Sequence, residues 1–344
     1  MKTDIKSMSF EELSLDFKQA GLPAFRAGQV YEWLNRGVSE FSEMTNISKE
    51  LRTTLSEKYF IASLKIRRKL SSKFDDTVKY LFELPDGQLI ESVVMHYHHG
   101  FTLCLSTQAG CRMGCSFCAT GKGGFCRNLT PSEMLCQITT AQNDLGIRIS
   151  NLVLMGMGEP LDNYNNTVKF LRLVISEKGL GIGARHISLS TCGLVDRIYD
   201  LMKLDLQITL SVSLHASNDR IRNQLMPINK KWNVDKLLSA CREYADHTGR
   251  RISFEYIIID ELNNTPACAA ELSEKLKGML CHVNLIPANP VDGAPNSHGT
   301  RKAAETFRDE LLRKGINATV RRTLGSDIEA SCGQLRGKER CDET

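Results

Sequence analysis

A chain of 344 residues with 42% apolar content can bury one large core or two smaller ones, and it holds no apolar run near the ~20 residues that a membrane-spanning helix requires. Its 44 basic and 40 acidic residues leave a net charge of only +4, so composition alone does not mark a nucleic-acid binder. The opening Met1-Lys2-Thr3-Asp4-Ile5-Lys6 runs into Glu11, Glu12 and Asp16 instead of an apolar stretch, so no secretory signal and a cytoplasmic, reducing location are expected.

Residues 1–60 read as short amphipathic helices. Ser9 precedes Phe10-Glu11-Glu12-Leu13, Pro23 precedes a run containing Val30, Trp33 and Leu34, and Ser48 opens Lys49-Glu50-Leu51, each a start signal ahead of a helical period. Residues 61–96 alternate apolar and polar around Asp86-Gly87, which predicts a hairpin linking this helical unit to the rest. From residue 97 to 344 short apolar runs alternate with helical stretches. Strands are expected at Thr102–Ser106, Asn151–Met155, His186–Ser190, Gln207–Leu214, Ile252–Ile259, His282–Ile286 and Ala318–Arg322, with helices near 131–145, 164–178, 233–247, 266–279 and 299–314. Strands separated by single helices imply parallel βαβ units and an α/β barrel, open or closed.

The 12 cysteines run from Cys104 to Cys341, and four crowd between Cys111 and Cys126. Without an export signal, that crowding reads as metal or redox chemistry before disulfides. Cys111-Arg-Met-Gly-Cys115-Ser-Phe-Cys118 directly follows the first barrel strand. Three thiolates on one tight loop can each hold one iron of a four-iron cluster and leave the fourth iron open, as catalytic zinc sites keep an open position. A structural zinc site with Cys126 as fourth ligand, or a ferredoxin-like electron carrier, uses similar residues. Context weighs against both, since a ferredoxin has a fourth cysteine and no large barrel, and a zinc ribbon usually adds a second C-x-x-C pair.

Polar groups recur after the later strands: Met155-Gly156-Met157-Gly158-Glu159-Pro160, Ser190-Thr191-Cys192-Gly193, Ser213-Leu214-His215 and Asn289-Pro290. Any one of them is an ordinary βα loop. Together they fall at the carboxyl ends of successive strands, where barrel enzymes build their sites.

These segments, with Asn284-Leu-Ile-Pro-Ala-Asn-Pro290, Asp327-Ile-Glu-Ala-Ser-Cys332-Gly-Gln, Pro23-Ala-Phe-Arg-Ala-Gly-Gln and Glu43-Met-Thr-Asn-Ile-Ser-Lys, resemble the RlmN family over nearly the whole chain. Members are radical S-adenosylmethionine (SAM) enzymes that methylate carbon 2 of an adenosine at the peptidyl-transferase centre of 23S ribosomal RNA. The resemblance implies an α/β fold, a partial (β/α)6 barrel with a small N-terminal helical accessory domain, one [4Fe-4S] cluster on Cys111, Cys115 and Cys118, and two SAM molecules per turnover. Gly158, Glu159, Ser190, Ser213, Leu214, His215 and Asn289 would hold SAM. Cys332 matches the cysteine that is itself methylated, Cys104 the one that resolves the intermediate through a transient disulfide with Cys332, and Glu91 the proton acceptor. Carbon 2 of adenine is not nucleophilic, so polar methyl transfer fails there and a radical route is needed.

The resemblance further implies 23S rRNA as partner, transfer RNA as a candidate second substrate, an electron donor such as ferredoxin or flavodoxin, a monomer, and no membrane. Taken alone, Cys104 would be an inert buried thiol, Cys332 a surface cysteine and Glu91 a solvated carboxylate. The basic pairs Arg67-Arg68-Lys69, Lys230-Lys231, Arg250-Arg251, Arg301-Lys302 and Arg321-Arg322 are candidate phosphate contacts or plain solvated surface. Cys126, Cys136, Cys192, Cys241, Cys268, Cys281 and Cys341 receive no role. The nearest rival is a Cfr-type enzyme acting on carbon 8 of the same adenosine, against which Pro160 and Pro287 weigh. More distant rivals are a zinc-dependent RNA-binding protein without catalysis and a radical SAM enzyme on a small molecule.

Overall fold

In the computed structural model, residues 2–288 and 298–328 are described. The N-terminal unit holds strand β1 (Thr3–Asp4), helices α1 (Phe10–Gln19), α2 (Ala24–Arg36) and α3 (Lys49–Lys58), and strand β2 (Tyr59–Phe60), which pairs with β1. Ser9 closes α1 with a capping box, its hydroxyl accepting from Glu12 N–H while Glu12 accepts from Ser9 N–H, so two orphan donors are satisfied at once. Leu13 and Phe17 of α1 and Ala27, Val30, Tyr31 and Leu34 of α2 keep helical spacing and meet Ile5, Met44 and Leu55 in a core of their own.

Next come β3 (Lys65–Ser71), β4 (Val78–Glu83), β5 (Leu89–Tyr97) and β6 (Gly100–Cys104), each antiparallel to the one before it. A small ladder follows, β7 (Gln108–Gly110) against β8 (Phe125–Asn128), with the short helix α4 (Ala119–Lys122) between them. The chain then alternates: α5 (Pro131–Leu145), β9 (Ile149–Leu154), α6 (Tyr164–Ile175), β10 (Ile187–Thr191), α7 (Val195–Met202), β11 (Thr209–Ser213), α8 (Asp219–Leu225), α9 (Val234–Thr248), β12 (Ile252–Ile258), α10 (Pro266–Leu276), β13 (Cys281–Pro287), α11 (Arg301–Arg313) and β14 (Ala318–Val320).

Among the described residues, ten strands form one sheet in the order β14-β13-β12-β11-β10-β9-β6-β5-β4-β3. From β6 to β14 every pairing is parallel, so the expected α/β layout is present, with β6 and β9–β13 as its six strands and β14 continuing them. The stretch expected as a linking hairpin is hydrogen-bonded into that sheet as β3–β5. Helices α7 and α8 were not anticipated: at 8 and 7 residues they span about two turns, too short for periodicity to distinguish from loop.

Period-2 alternation divides the sheet into two faces. Leu103, Leu152, Leu154, Leu189, Leu210, Val212, Phe254, Tyr256 and Leu285 lie in the main core beneath the helices. The alternate residues, Cys104, Val153, Ser190, Ser211, Ser213, Glu255 and Asn284, share the opposite, concave face. There Leu324, just beyond β14, packs with Val93, Met95 and Cys104. Asp327 accepts from Ser72 Oγ and Lys73 N–H at 2.7 and 2.8 Å, and Asp75 accepts from Gly325 N–H at 3.0 Å. The segment after β14 therefore spans the two edges of the sheet.

The helical unit docks on α5. Lys6 Nζ donates to Thr139 Oγ1 in a buried contact of 3.3 Å, Ser132 N–H donates to Ser7 Oγ and Asn143 Nδ2 to the Arg36 carbonyl. Gly37, at φ 87°, ends α2 against this face, where a Cβ would meet Asn143 Nδ2 at 2.8 Å and Thr139 Cβ at 2.9 Å, so a side chain is excluded by both conformation and space.

Candidate active site

The cysteine loop leaves β7 through Gly110, at φ 86°, a conformation that glycine reaches at no steric cost. Cys111 N–H donates to the Gly124 carbonyl at 2.9 Å, and Ser116 N–H donates to the Leu225 carbonyl at 3.0 Å. The loop is therefore pinned at both ends, to β8 and to the end of α8. Cys111, Cys115 and Cys118 are all partly accessible, whereas Cys126 is exposed on β8. Burial pushes the Cys111 thiol up to about 11, with the Cys118 sulfur adding to it. Cys115 is raised further, by burial and then by Cys118 and Cys111.

Sulfurs that raise one another's pKa lie close together, and a cation among them would reverse the effect by binding the thiolates. The donor set thus fits an iron–sulfur cluster. Among the described residues no three His, Cys, Asp or Glu side chains converge on one ion position. A four-iron cluster does not require that, because each thiolate takes a different iron.

The glycine turn after β9 lies against the strand that leads into this loop. Gly156 N–H donates to the Leu105 carbonyl at 3.0 Å, and a Cβ at Gly156 would fall 2.5 Å from that same oxygen. Gly158, at φ 103°, abuts Gln108, whose Oε1 accepts from Glu159 N–H at 2.8 Å. Glu159 is buried, and its carboxylate accepts from Leu161 N–H at 3.0 Å and Cys192 N–H at 2.7 Å, tying the end of β9 to the end of β10. Burial nonetheless pushes its pKa up. The Thr191 and Cys192 side chains hydrogen-bond it as well.

Ser190 and Ser213 are half-buried on the concave face. The Leu214 side chain is fully buried in the main core, so that residue can offer a ligand only backbone. His215 sits at φ 59°, and its Nδ1 accepts from Ile257 N–H at 3.0 Å. That bond requires an unprotonated Nδ1, and burial, with the Arg222 charge second, lowers the His215 pKa to about 3. Phe117 of the cysteine loop meets the His215 ring edge-on, centroids 4.8 Å apart.

Glu91 is not solvated. Its carboxylate lies 2.9 Å from Lys79 Nζ, and both side chains are 0% exposed. Glu91 shares a face of β5 with Val93, which stands opposite Cys104 in register, so the candidate proton acceptor and the candidate resolving thiol lie on one side of adjacent strands. Cys104 is buried with Val93 and Met95. Asn289 and Cys332 lie outside the described residues, as does Cys341. Cys136, Cys192, Cys241, Cys268 and Cys281 are buried, as packing residues would be.

Two residues of this region gave no sequence signal. Glu255 on β12 is buried on the concave face, accepting from Asn284 Nδ2 at 2.7 Å and Ser253 Oγ at 3.1 Å. Arg222 on α8 is fully buried and donates to the carbonyls of Leu214, Cys192 and Ser213. An isolated Glu in a strand or Arg in a short helix looks like surface until the fold encloses it.

The Radical SAM superfamily model matches residues 105–267, and the ribosomal RNA large subunit methyltransferase N-terminal domain matches residues 3–61. The chain is 50% identical over 337 residues to a probable dual-specificity RNA methyltransferase RlmN of Alkaliphilus oremlandii, covering 98% of each chain. It is also 50% identical over 325 residues to the protein of the same description from Clostridium acetobutylicum, covering 94% of each. The crystal structure of a radical SAM methyltransferase from Sphaerobacter thermophilus superposes with a TM-score of 0.92 at 41% identity, covering 96% of this chain and 98% of that one. Among the described residues no helix is long and apolar enough to cross a membrane.

Proposed function

The chain belongs to the RlmN family of radical SAM RNA methyltransferases, and from that membership we propose that it methylates carbon 2 of an adenosine in 23S rRNA, with an adenosine of transfer RNA as second substrate. The observation that carries this reading is the three-thiol loop Cys111, Cys115 and Cys118, held at the carboxyl ends of the parallel strands beside the Gly156–Glu159 turn. The family's cofactors are a [4Fe-4S] cluster and SAM, which when bound supply one-electron cleavage of the sulfonium and a transferable methyl group. The relatives described as dual-specificity support a second RNA substrate.

In this reading Cys111, Cys115 and Cys118 hold the cluster. Gly158, Glu159, Ser190, Ser213, His215 and Asn289 surround SAM, and Leu214 contributes backbone only. Neutral His215, its Nδ1 engaged by Ile257 N–H, presents Nε2–H as a donor. Cys332 carries the methyl group and Glu91 takes the carbon-2 proton. The Cys104 thiolate then attacks the Cys332 sulfur, forming an S–S bond while the C–S bond to the base breaks; the carbon keeps that electron pair and picks up a proton, becoming the product methyl. An external dithiol must reduce the disulfide, and a ferredoxin or flavodoxin is the expected electron donor.

Leu324 beside Cys104, only eight residues ahead of Cys332 in sequence, supports their pairing. Residues 1–60 form an accessory unit for folded RNA, and 97–344 the catalytic part, to whose sheet the linking residues 61–96 add β3–β5 and Glu91, the whole acting as a monomer in the cytoplasm.

The test is anaerobic reconstitution, incubation with protein-free 23S rRNA and with tRNA, and mass analysis of the nucleosides. The expected product is 2-methyladenosine. Only 8-methyladenosine would move the chain to the Cfr-type reaction, and a colourless, zinc-loaded protein would remove the cysteine loop from radical chemistry.

A further inference from the structure

Arg222 donates four hydrogen bonds and, among the described residues, forms no ion pair. Its Nε donates to the Leu214 carbonyl at 3.1 Å, Nη1 to Asn229 Oδ1 at 2.9 Å, and Nη2 to the carbonyls of Cys192 at 2.7 Å and Ser213 at 3.1 Å. All four acceptors are neutral. The side chain is 0% exposed, and among the described residues no carboxylate forms an ion pair with it. The acid on its own helix, Asp219, does not touch it but accepts from Asn229 Nδ2 and Val234 N–H, so it acts on Arg222 only at a distance, through Asn229. A fully buried guanidinium whose direct partners are all neutral is unfavourable, so among the described residues this site favours a further negative charge close by.

The location says where that charge comes from. The helix bearing Arg222 ends on the cysteine loop, where the Leu225 carbonyl accepts Ser116 N–H at 3.0 Å and a Cβ at Gly114 would lie 3.7 Å from Pro227 Cγ. Three thiolates on a four-iron core carry net negative charge, and the core gains one more on reduction.

We propose that Arg222 is the buried counter-charge of the iron–sulfur cluster, a positioning residue that joins the ends of β10 and β11 to the cysteine loop and raises the reduction potential of the cluster. This rests on Cys111, Cys115 and Cys118 being the ligands. A fixed positive charge favours the more negative, reduced state, so removing it lowers the potential. Because the guanidinium remains protonated at any working pH, the effect does not vary with pH in the native protein.

The experiment compares native protein with Arg222→Gln and Arg222→Lys, each reconstituted anaerobically, assayed for iron and sulfide, and titrated potentiometrically without SAM by electron paramagnetic resonance. Arg222→Gln, loaded with cluster, should need at least tenfold more reducing conditions, about 59 mV for a one-electron couple. Arg222→Lys should stay within about threefold of native near neutral pH, then shift toward more negative potentials as pH rises to about 10 and its amine deprotonates. A fully loaded Gln variant with the native midpoint overturns the proposal. If the Gln variant does not fold, the Lys variant decides, and a midpoint that stays constant over that pH range overturns it. Native protein without iron and sulfide would instead overturn the ligand assignment.

Discussion

Lys79 and Glu91 are the two charges that the sheet encloses most completely. Removing one partner of such a pair costs about 3–5 kcal/mol, while replacing both is far milder. Lys79→Met should therefore destabilise the cluster-free protein by that amount, and the Lys79→Met/Glu91→Gln double variant should recover most of it. Chemical denaturation of the four proteins closes the cycle, and additive losses would refute a coupled pair. If Glu91 takes the carbon-2 proton, Glu91→Gln should also slow methylation by about 10²–10⁴, with SAM binding by the loaded protein unchanged. His215 gives a pH signature. Its pKa falls from 6.5 to about 3 in the fold, so between those values the unfolded chain binds the extra proton and stability drops as pH falls, by up to ~1.4 kcal/mol per pH unit. His215→Gln keeps an acceptor for Ile257 N–H and should remove that increment. Equal pH slopes for the two cluster-free proteins would contradict a neutral His215.

At the scale of elements, the site depends on how closely β6 and β9 approach at their carboxyl ends. Gly156 touches the Leu105 carbonyl so closely that a methyl group would sit 2.5 Å from its oxygen. Gly156→Ala should cost about 1–3 kcal/mol by forcing the strands apart, and equilibrium unfolding should report it together with weakened SAM binding. A stability equal to native would mean that the approach is not needed. The long elements were readable because their ends are marked. Thr130 and Glu133 form a capping box at the start of α5, and Asn233 and Thr265 cap α9 and α10. Helix α6 stops at Ile175, short of the expected residue 178, because Gly179 N–H turns back to the Ser176 carbonyl. The run 207–214 contracts to Thr209–Ser213, since apolarity alone does not mark where ladder bonds end.

For the whole molecule, the basic pairs are not equivalent. Lys69 pairs with Asp144, Arg67 approaches Glu83 and Arg301 pairs with Glu305, whereas Lys230 and Lys231 are exposed beside Pro227, close to Gly114 of the cysteine loop. Replacing both lysines with alanine should weaken RNA binding and reduce the slope of log affinity against log salt by about one per lysine. Filter binding over a salt series measures it, and an unchanged slope would exclude phosphate contact there.

The local order of Cys111-x-x-x-Cys115-x-x-Cys118 and the polar residues after successive strands sufficed to indicate both chemistry and fold class, because cluster ligation is set by spacing along one loop and barrel sites by strand ends. The sequence also carried the family, since those motifs recur over the whole chain. What only the tertiary structure decided was which charges lie inside. Glu91, Glu255 and Arg222 are single polar residues in elements with no distinctive pattern, and their surroundings come from strands and helices far away in sequence. Burial and partners are properties of the assembled sheet, so a string of residues does not record that Arg222 is enclosed among neutral acceptors.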